Sequence, residues 1–213
     1  MLDILKSLLG DSITMFTIMN PLSAGAIMLT LVESNTSKKE FHHLAIKNSR
    51  AVFVAMVIIF LSGNYIFQFF GIQPAGLRVF GGVILLMMGF NMVQGHDKKV
   101  NHKPQDQKAA QERNDISVVP LAIPIMVGPG LASTLVNLGV NAHKWQNYAS
   151  VIGAIAVCAL ASFIIFKRMP FIKKKLGVNG LKVFNRLMGL IVGSLAAQML
   201  ISGIIGLYQN HFN

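Results

Sequence analysis

Long apolar runs separated by short polar connections dominate the hydrophobic pattern of this chain. Each run is close to the roughly 20 residues that an α-helix needs to cross the hydrocarbon core of a bilayer. The pattern predicts six spans, near Ile13–Val32, Ala51–Phe70, Pro74–Val93, Val118–Gly139, Tyr148–Phe166 and Leu187–Tyr208. We therefore expect an all-α membrane protein with six transmembrane helices, in which residues 1–213 form a single integral membrane domain.

Proline and glycine interrupt the first and fourth predicted spans in their middles. The first break is Asn20-Pro21-Leu22-Ser23-Ala24-Gly25, and the second comprises Pro120, Pro124 and Gly128-Pro129-Gly130. Proline removes a backbone N–H group and clashes with the preceding turn, while glycine tolerates non-helical dihedral angles. Each span is therefore predicted to be two half-helices. Paired breaks in the two halves of a membrane protein point to a transporter binding site.

A short match between the two halves of the chain indicates an internal duplication. Leu77-Arg78-Val79-Phe80 resembles Leu181-Lys182-Val183-Phe184 at an offset of 104 positions, and Pro21 and Pro129 lie 108 positions apart. The prediction is a first repeat at about 8–95, a cytoplasmic loop at 96–116 and a second repeat at about 117–208. Because three spans are an odd number, the second repeat would enter the membrane in the opposite orientation. This is an inverted 3+3 repeat with discontinuous first and fourth helices.

The charge distribution predicts how the helices are oriented. The chain is 53% hydrophobic and 13% charged, and its net charge is +11. Alternate connections hold sixteen of the nineteen lysines and arginines: Lys38, Lys39, Lys47, Arg50, Lys98, Lys99, Lys103, Lys108, Arg113, Lys167, Arg168, Lys173, Lys174, Lys175, Lys182 and Arg186. This is the positive-inside pattern, so both termini are predicted on the periplasmic or outer side. Topology and membrane lipids then account for the basicity, and no nucleic-acid partner is expected.

Two of these connections differ in composition. His96–Ile116 is polar and almost without large apolar residues, so we expect a loop that cannot form a core of its own. Lys167–Arg186 interleaves apolar residues with its charges. It fits either an amphipathic segment at the interface or a cytoplasmic extension of the last helix.

Ionisable residues fall in the connections or at the ends of the predicted spans. This distribution disfavours a carboxylate relay inside the membrane, and the histidine spacing suggests no metal site, so we expect neither metal nor cofactor. The single cysteine, Cys158, is read as a buried packing thiol. Neutral polar groups remain inside the spans, and most of their hydroxyls are expected to bond the carbonyl one turn back.

The candidate binding residues lie at the breaks or at repeat-equivalent positions. The 104-residue offset pairs Gln94 with Gln198. Two interpretations stay open for these amides: they face a cavity, or they form a structural hydrogen bond between helices. The predicted substrate-binding set is Asn20, Pro21, Ser23, Gly25, Gln94, Pro124, Gly128, Pro129, Gly130, Ser133 and Gln198. Exposed N–H and carbonyl groups at helix ends, without full charges, suit a small polar ligand that is neutral overall. A zwitterionic amino acid fits, and small polar non-electrolytes fit nearly as well.

Both break motifs resemble the paired signatures of the MarC family of bacterial and archaeal inner-membrane proteins. The resemblance rests on Met19-Asn20-Pro21-Leu22-Ser23-Ala24-Gly25, on Pro120-Leu121-Ala122-Ile123-Pro124 and on Gly128-Pro129-Gly130, and it covers essentially the whole chain. It implies a fold similar to the lysine-exporter superfamily and carriage of small neutral amino acids such as glycine or alanine, as in SnatA-type transporters. Ser23 stands where the family's Asn-Pro-Leu-Gly form has glycine, which leaves the substrate open.

Three functions stay open at this point. A secondary transporter with alternating access around the breaks is the preferred interpretation. A pore or a membrane scaffold is the first alternative. An intramembrane enzyme with Ser23 or Ser133 as nucleophile is disfavoured, because no histidine, lysine or acid is predicted at comparable depth to act as base. Glycine faces, including the GxxxG pair Gly189 and Gly193, make a homo-oligomer possible.

Overall fold

The computed structural model describes residues 2–31, 37–71, 73–95, 126–142 and 144–212. All regular elements in these ranges are α-helices. They are α1 (Leu2–Met19), α2 (Pro21–Leu31), α3 (Lys38–Phe69), α4 (Pro74–Gln94), α5 (Pro129–Asn141) and α6 (Trp145–Phe212). The predicted loop 96–116 and the first part of the predicted fourth span lie outside the described residues.

Four stretches of the described residues are long and apolar enough to cross a membrane. They are Ile4–Leu29, Lys39–Gly63, Pro74–Gln94 and Trp145–Gln209. The first joins α1 and α2 across a one-residue interruption and begins nine residues before the predicted start at Ile13. Asp11, placed by the sequence at the end of a span, therefore lies within this stretch, half-buried, and accepts a hydrogen bond from the Ser7 hydroxyl at 3.1 Å.

The second predicted span is also longer in the structure, because α3 begins at Lys38 and not at Ala51. Ser37 and Glu40 cap its first turn reciprocally. The Glu40 N–H donates to the Ser37 hydroxyl at 3.2 Å, and the Ser37 N–H donates to the Glu40 carboxylate at 2.8 Å. This capping box satisfies two amides that the helix start would otherwise leave unpaired. The basic residues at 38, 39, 47 and 50 thus belong to a helix and not to a loop.

One interruption divides the 68-residue α6 into two arms. Gly177 has φ 67° and ψ 178°, so residues 145–176 and 178–212 form separate helical arms. Gly25 lies against Met169 of the first arm, while Asn20 bonds Asn185 of the second arm. The chain therefore reverses between these contacts, and residues 170–184 project as a largely exposed hairpin. Residues 167–186 are therefore helical on both sides of Gly177 and form the facing ends of the two arms.

The second arm of α6 packs antiparallel to α4, whereas the first arm packs parallel to α1. Along α4, positions 75, 82, 89 and 95 meet positions 203, 196, 189 and 186 of α6 in that order, so these helices are antiparallel. Between α1 and the first arm, the contacting positions rise together in both helices. The Ile4 carbonyl accepts a hydrogen bond from Ser150 at 3.4 Å and the Ser12 carbonyl accepts one from Cys158 at 3.3 Å, so α1 and the first arm are parallel.

A single hydrophobic core joins residues from all six helices. Its fully buried members include Met15, Met56, Leu85, Leu131 and Met169. Large apolar side chains such as Phe80, Phe90 and Leu190 are exposed instead, as expected for helices whose outer faces contact lipid. The described part of the chain is therefore an all-helical membrane protein with a methionine-rich interior.

Candidate functional site

Asn20 forms the first break. It is the one non-glycine residue in the described ranges with a positive φ, at 43°, a conformation that asparagine tolerates better than most residues. Pro21 follows as the first residue of α2, where its lack of an N–H is harmless because that group would have no intrahelical partner. The Asn20 side-chain oxygen accepts the Ser23 N–H at 3.4 Å, so Asn20 also caps α2. The predicted discontinuity of the first helix is confirmed.

A buried polar cluster surrounds this break. The Asn20 side-chain amide donates to the Ser23 hydroxyl oxygen at 2.8 Å and to the Asn185 side-chain oxygen at 2.6 Å. The Ser23 hydroxyl donates to the same Asn185 oxygen at 2.7 Å. Asn20 and Asn185 are each only 6% exposed. Three uncharged polar side chains therefore meet inside the bundle, and they connect the break to a helix 165 positions away in sequence.

Pro21 and Gly25 shape the apolar surroundings of the cluster. Pro21 is fully buried. A methyl group added at Gly25 would lie 3.1 Å from the Met169 sulfur and 3.2 Å from the Phe166 ring, so the absence of a side chain lets α2 approach the first arm of α6 closely. These two predicted site residues thus position the break, while Asn20 and Ser23 provide its polar groups.

Gly128 and Pro129 form the described part of the second break. Met126 is helical, Val127 and Gly128 are not, and α5 starts at Pro129. Gly128 precedes the helix with an extended backbone (φ −72°, ψ 177°), and Pro129 again occupies the first helical position. Pro120 and Pro124 lie outside the described residues. The backbone immediately before α5 is therefore non-helical at Val127 and Gly128. The first half of the predicted broken helix lies outside the described residues, so the second discontinuity stays a prediction.

The polar groups after the second break are arranged differently from those at the first. The hydroxyls of Ser133 and Thr134 both donate to the Gly130 carbonyl, each at 3.1 Å. Other span hydroxyls, such as that of Thr17, also bond a carbonyl one turn back. Ser133 is buried directly against Gly81 of α4, where no Cβ could be accommodated. Gly130 is buried against Leu85, with 2.5 Å between an added methyl group and the Leu85 side chain.

The structure does not bring every candidate residue to the breaks. Gln94 and Gln198 are exposed on α4 and α6. Pro129 lies at the second break, although it is exposed as well. Asn185 is the member of the cluster that the sequence pattern does not predict, because it lies in the charged connection Lys167–Arg186. A sequence signal for its burial exists. Asn185 directly follows Leu181-Lys182-Val183-Phe184, and this motif matches Leu77-Arg78-Val79-Phe80 within the apolar helix α4.

Both breaks adjoin the same core. Met19 before the first break shares one buried cluster with Met126, Val127 and Leu131 around the second. Among the residues described, no group of three or more histidine, cysteine, aspartate or glutamate side chains is arranged to hold a metal ion. The polar side chains that meet at the first break are the amides of Asn20 and Asn185 and the hydroxyl of Ser23.

Sequence comparisons relate the chain to a family of membrane proteins. Residues 5–208 match the family described as MarC family integral membrane proteins. The UPF0056 membrane protein YvbG of Bacillus subtilis is 34% identical over 92% of this chain and 93% of its own length. A UPF0056 membrane protein of Pyrococcus abyssi is 33% identical over 98% of this chain and 99% of its own length. The Escherichia coli UPF0056 membrane protein YhcE is 27% identical over 94% and 93%, respectively. No solved structure matches.

Proposed function

The chain belongs to the MarC family of integral membrane proteins, and from this premise we propose that it is a secondary transporter of small neutral amino acids. In this proposal, substrates resembling glycine or alanine bind between the two broken helices, and access alternates between the two sides of the membrane. The proposed location is a bacterial inner membrane, with both termini on the outer side.

The observation that carries the proposal is the buried cluster of Asn20, Ser23 and Asn185 at the first break. Polar side chains inside a membrane bundle are costly unless they are paired or functional. Here they lie beside a backbone held out of helical geometry at Asn20. Irregular backbone is tolerated at membrane depth where it is buried in protein or lines a cavity, and discontinuous helices of this kind are typical of transporter binding sites.

The proposed architecture has six spans in an inverted 3+3 repeat. The antiparallel crossing of α4 and α6 supports it, because Gly89 and Gly193, which the 104-residue offset pairs, meet there with 2.8 Å between an added Gly89 methyl group and the Gly193 nitrogen. Residues near a pseudo-two-fold axis are expected to contact their own repeat equivalents. In this proposal the two arms of α6 are separate spans, and α5 is the second half of the fourth span, which gives six passes.

The chemistry of the cluster favours a ligand without net charge. Amide and hydroxyl groups can accept hydrogen bonds from an ammonium and donate to a carboxylate, and they need not change protonation. A fully charged ligand would lack a counter-charge at this place, because the polar side chains that meet at the first break are all neutral.

Counterflow in proteoliposomes tests the proposal. Vesicles loaded with unlabelled alanine should take up radiolabelled alanine or glycine with saturation, and excess substrate should compete. Ser23→Ala removes one hydroxyl of the cluster and should raise the half-saturating concentration about 10-fold, the equivalent of one buried hydrogen bond of about 1.4 kcal/mol. Ser194→Ala is the matched control, because the exposed Ser194 hydroxyl bonds only the Leu190 carbonyl at 2.9 Å.

The alternatives give different results in the same assay. Flux that does not saturate and shows no counterflow would identify a pore. Absence of counterflow for every small zwitterion tested, in protein shown to be folded, would remove the transporter proposal and favour a scaffold. If Ser23→Ala and Ser194→Ala change the half-saturating concentration equally, the cluster at the first break does not take part in transport.

A further inference from the structure

A second polar cluster connects α4 to α5 one turn into α4. The Arg78 Nε donates to the Asn137 side-chain oxygen at 2.7 Å, and its Nη2 donates to the Asn141 side-chain oxygen at 3.3 Å. The Asn141 amide donates in turn to the Asn137 carbonyl at 2.6 Å and to the Asn137 side-chain oxygen at 3.3 Å. The two asparagines therefore hold the guanidinium in a defined orientation against α5.

Charge is unbalanced in this cluster. Arg78 is half-buried, yet both of its acceptors are neutral amide oxygens, and no carboxylate among the described residues pairs with it. These bonds use two of the five guanidinium N–H groups, and the other three donate to neither asparagine. A partly buried cation without a counter-ion is unfavourable by itself, and an anionic ligand would remove that cost.

The chemistry of arginine specifies which anion fits. The planar guanidinium presents parallel N–H groups that match the two oxygens of a carboxylate, and arginine is preferred where such bidentate recognition matters. With Nε and one Nη2 hydrogen held by the asparagines, two Nη1 hydrogens and the second Nη2 hydrogen remain. One Nη1 hydrogen and that Nη2 hydrogen form the remaining parallel pair. A carboxylate can accept from these donors while the asparagines keep the side chain in place.

The position of Arg78 links it to the second break. Arg78, Gly81 and Leu85 follow one another along one face of α4, and they contact Asn137, Ser133 and Gly130 of α5, respectively. Gly130 lies in the Gly-Pro-Gly segment where α5 begins. The interface between α4 and α5 therefore leads from Arg78 at one end of the bundle to the second break inside it.

We propose that Arg78, oriented by Asn137 and Asn141, binds the carboxylate of the amino acid at the Arg78 end of the α4–α5 interface. This inference rests on the proposed transport function and adds a residue that recognises one group of the substrate. Arg78 supplies the charge, and the two asparagines are positioning residues. The charge distribution along the chain predicts that this end of the interface lies on the outer side.

The decisive variant is Asn137→Asp, which places a carboxylate of the protein at the position that now accepts the Arg78 Nε. An internal ion pair would then neutralise Arg78 and compete with the substrate. The half-saturating concentration of alanine in counterflow should rise about 10-fold to 100-fold, the effect expected for hydrogen bonds to a charged group. The melting temperature of this variant should be equal or higher under either account, because the ion pair stabilises the contact between α4 and α5 in both. A purely structural connection is distinguished by transport: it predicts that the half-saturating concentration of alanine does not change.

Three further measurements complete the test. Arg78→Gln should lose discrimination between alanine and alaninamide, which lacks the carboxylate, while Arg78→Lys should restore part of it. Lys144→Gln is the control. It removes an exposed positive charge two residues after Ala142, the C-cap of α5, and should leave the half-saturating concentration unchanged. Propionate, which has a carboxylate and no ammonium, should raise the melting temperature of the purified wild-type protein and not that of Arg78→Gln.

The propionate measurement separates this inference from the transport proposal. Arg78-dependent stabilisation by propionate without counterflow of any amino acid would sustain the anion site and reject transport. Wild-type counterflow that Asn137→Asp leaves intact, together with propionate stabilisation that survives Arg78→Gln, would overturn the carboxylate site and leave the transport proposal standing.

Discussion

Replacing Asn185 with alanine tests whether the buried cluster holds the broken helix in place. The Asn185 side-chain oxygen accepts hydrogen bonds from Asn20 at 2.6 Å and from Ser23 at 2.7 Å, and both would be lost. Interhelical hydrogen bonds inside membrane proteins contribute about 0.6 kcal/mol on average and up to about 1.7 kcal/mol. The two bonds together therefore correspond to about 1–3 kcal/mol, and the better helix propensity of alanine offsets about 0.6 kcal/mol of this.

The free energy of unfolding in mixed detergent micelles, titrated with a denaturing detergent, measures this loss. We expect Asn185→Ala to lower it by about 0.5–2.5 kcal/mol, taking the two bonds and the propensity term together. Gln198→Ala is the control on the same arm of α6, since its amide is exposed, and it should change the free energy by less than about 0.5 kcal/mol. A double-mutant cycle with Ser23→Ala should give a coupling energy of at least about 0.5 kcal/mol.

Two results would refute the reasoning. If Asn185→Ala is as stable as Gln198→Ala, the hydrogen bonds of the cluster contribute nothing measurable to folding. If Asn185→Ala and Ser23→Ala are additive within about 0.3 kcal/mol, the two side chains are energetically independent despite their 2.7 Å separation.

Two further predictions concern the backbone at the break and the closest helix crossing. Because Asn20 has φ 43°, Asn20→Gly should be more stable than Asn20→Ala by about 1 kcal/mol although both lose the side chain, and equal unfolding free energies would argue against the left-handed conformation. Gly89→Ala would place a methyl group 2.8 Å from the Gly193 nitrogen and 2.9 Å from the Gly189 carbonyl, so it should lower the free energy of unfolding by about 1–3 kcal/mol. Gly10→Ala, with nothing within 4 Å, should raise that free energy by up to about 1 kcal/mol in the same titration. Equal effects of the two alanines would contradict the close crossing of α4 and α6.

The breaks could be predicted from the sequence because their causes are local. Pro21 cannot donate the hydrogen bond that would continue α1, and Pro129 likewise begins a helix after Gly128. The start of α3 was also available locally, since Ser37-Lys38-Lys39-Glu40 has the spacing of a capping box. The predicted span instead began at the first continuous apolar residues, because the length of a hydrophobic run does not report how far a helix extends beyond it.

The partners of the polar residues could not be predicted in the same way. Gln94 and Gln198 are equivalent in the repeat, yet both are exposed, because the direction of a side chain depends on the rotation of its helix against its neighbours. Asn185 lies in a segment rich in charge, and only the reversal of the chain at Gly177 returns it to Asn20. Arg78 is not among the sixteen lysines and arginines of the basic connections. Its asparagine partners could not be predicted, because they lie 59 and 63 positions away.

The sequence by itself determined that this is a helical membrane protein of the MarC family, that the first span is interrupted at Asn20-Pro21 and that a helix begins at Pro129. These properties follow from hydrophobic run lengths, missing backbone donors and motif residues, all of which act within a few positions along the chain. Only the tertiary structure decided which side chains meet at the breaks: Asn185 with Asn20 and Ser23, and Gly81 with Ser133. Such contacts depend on the relative rotation, direction and separation of packed helices, and packing between distant segments fixes those quantities.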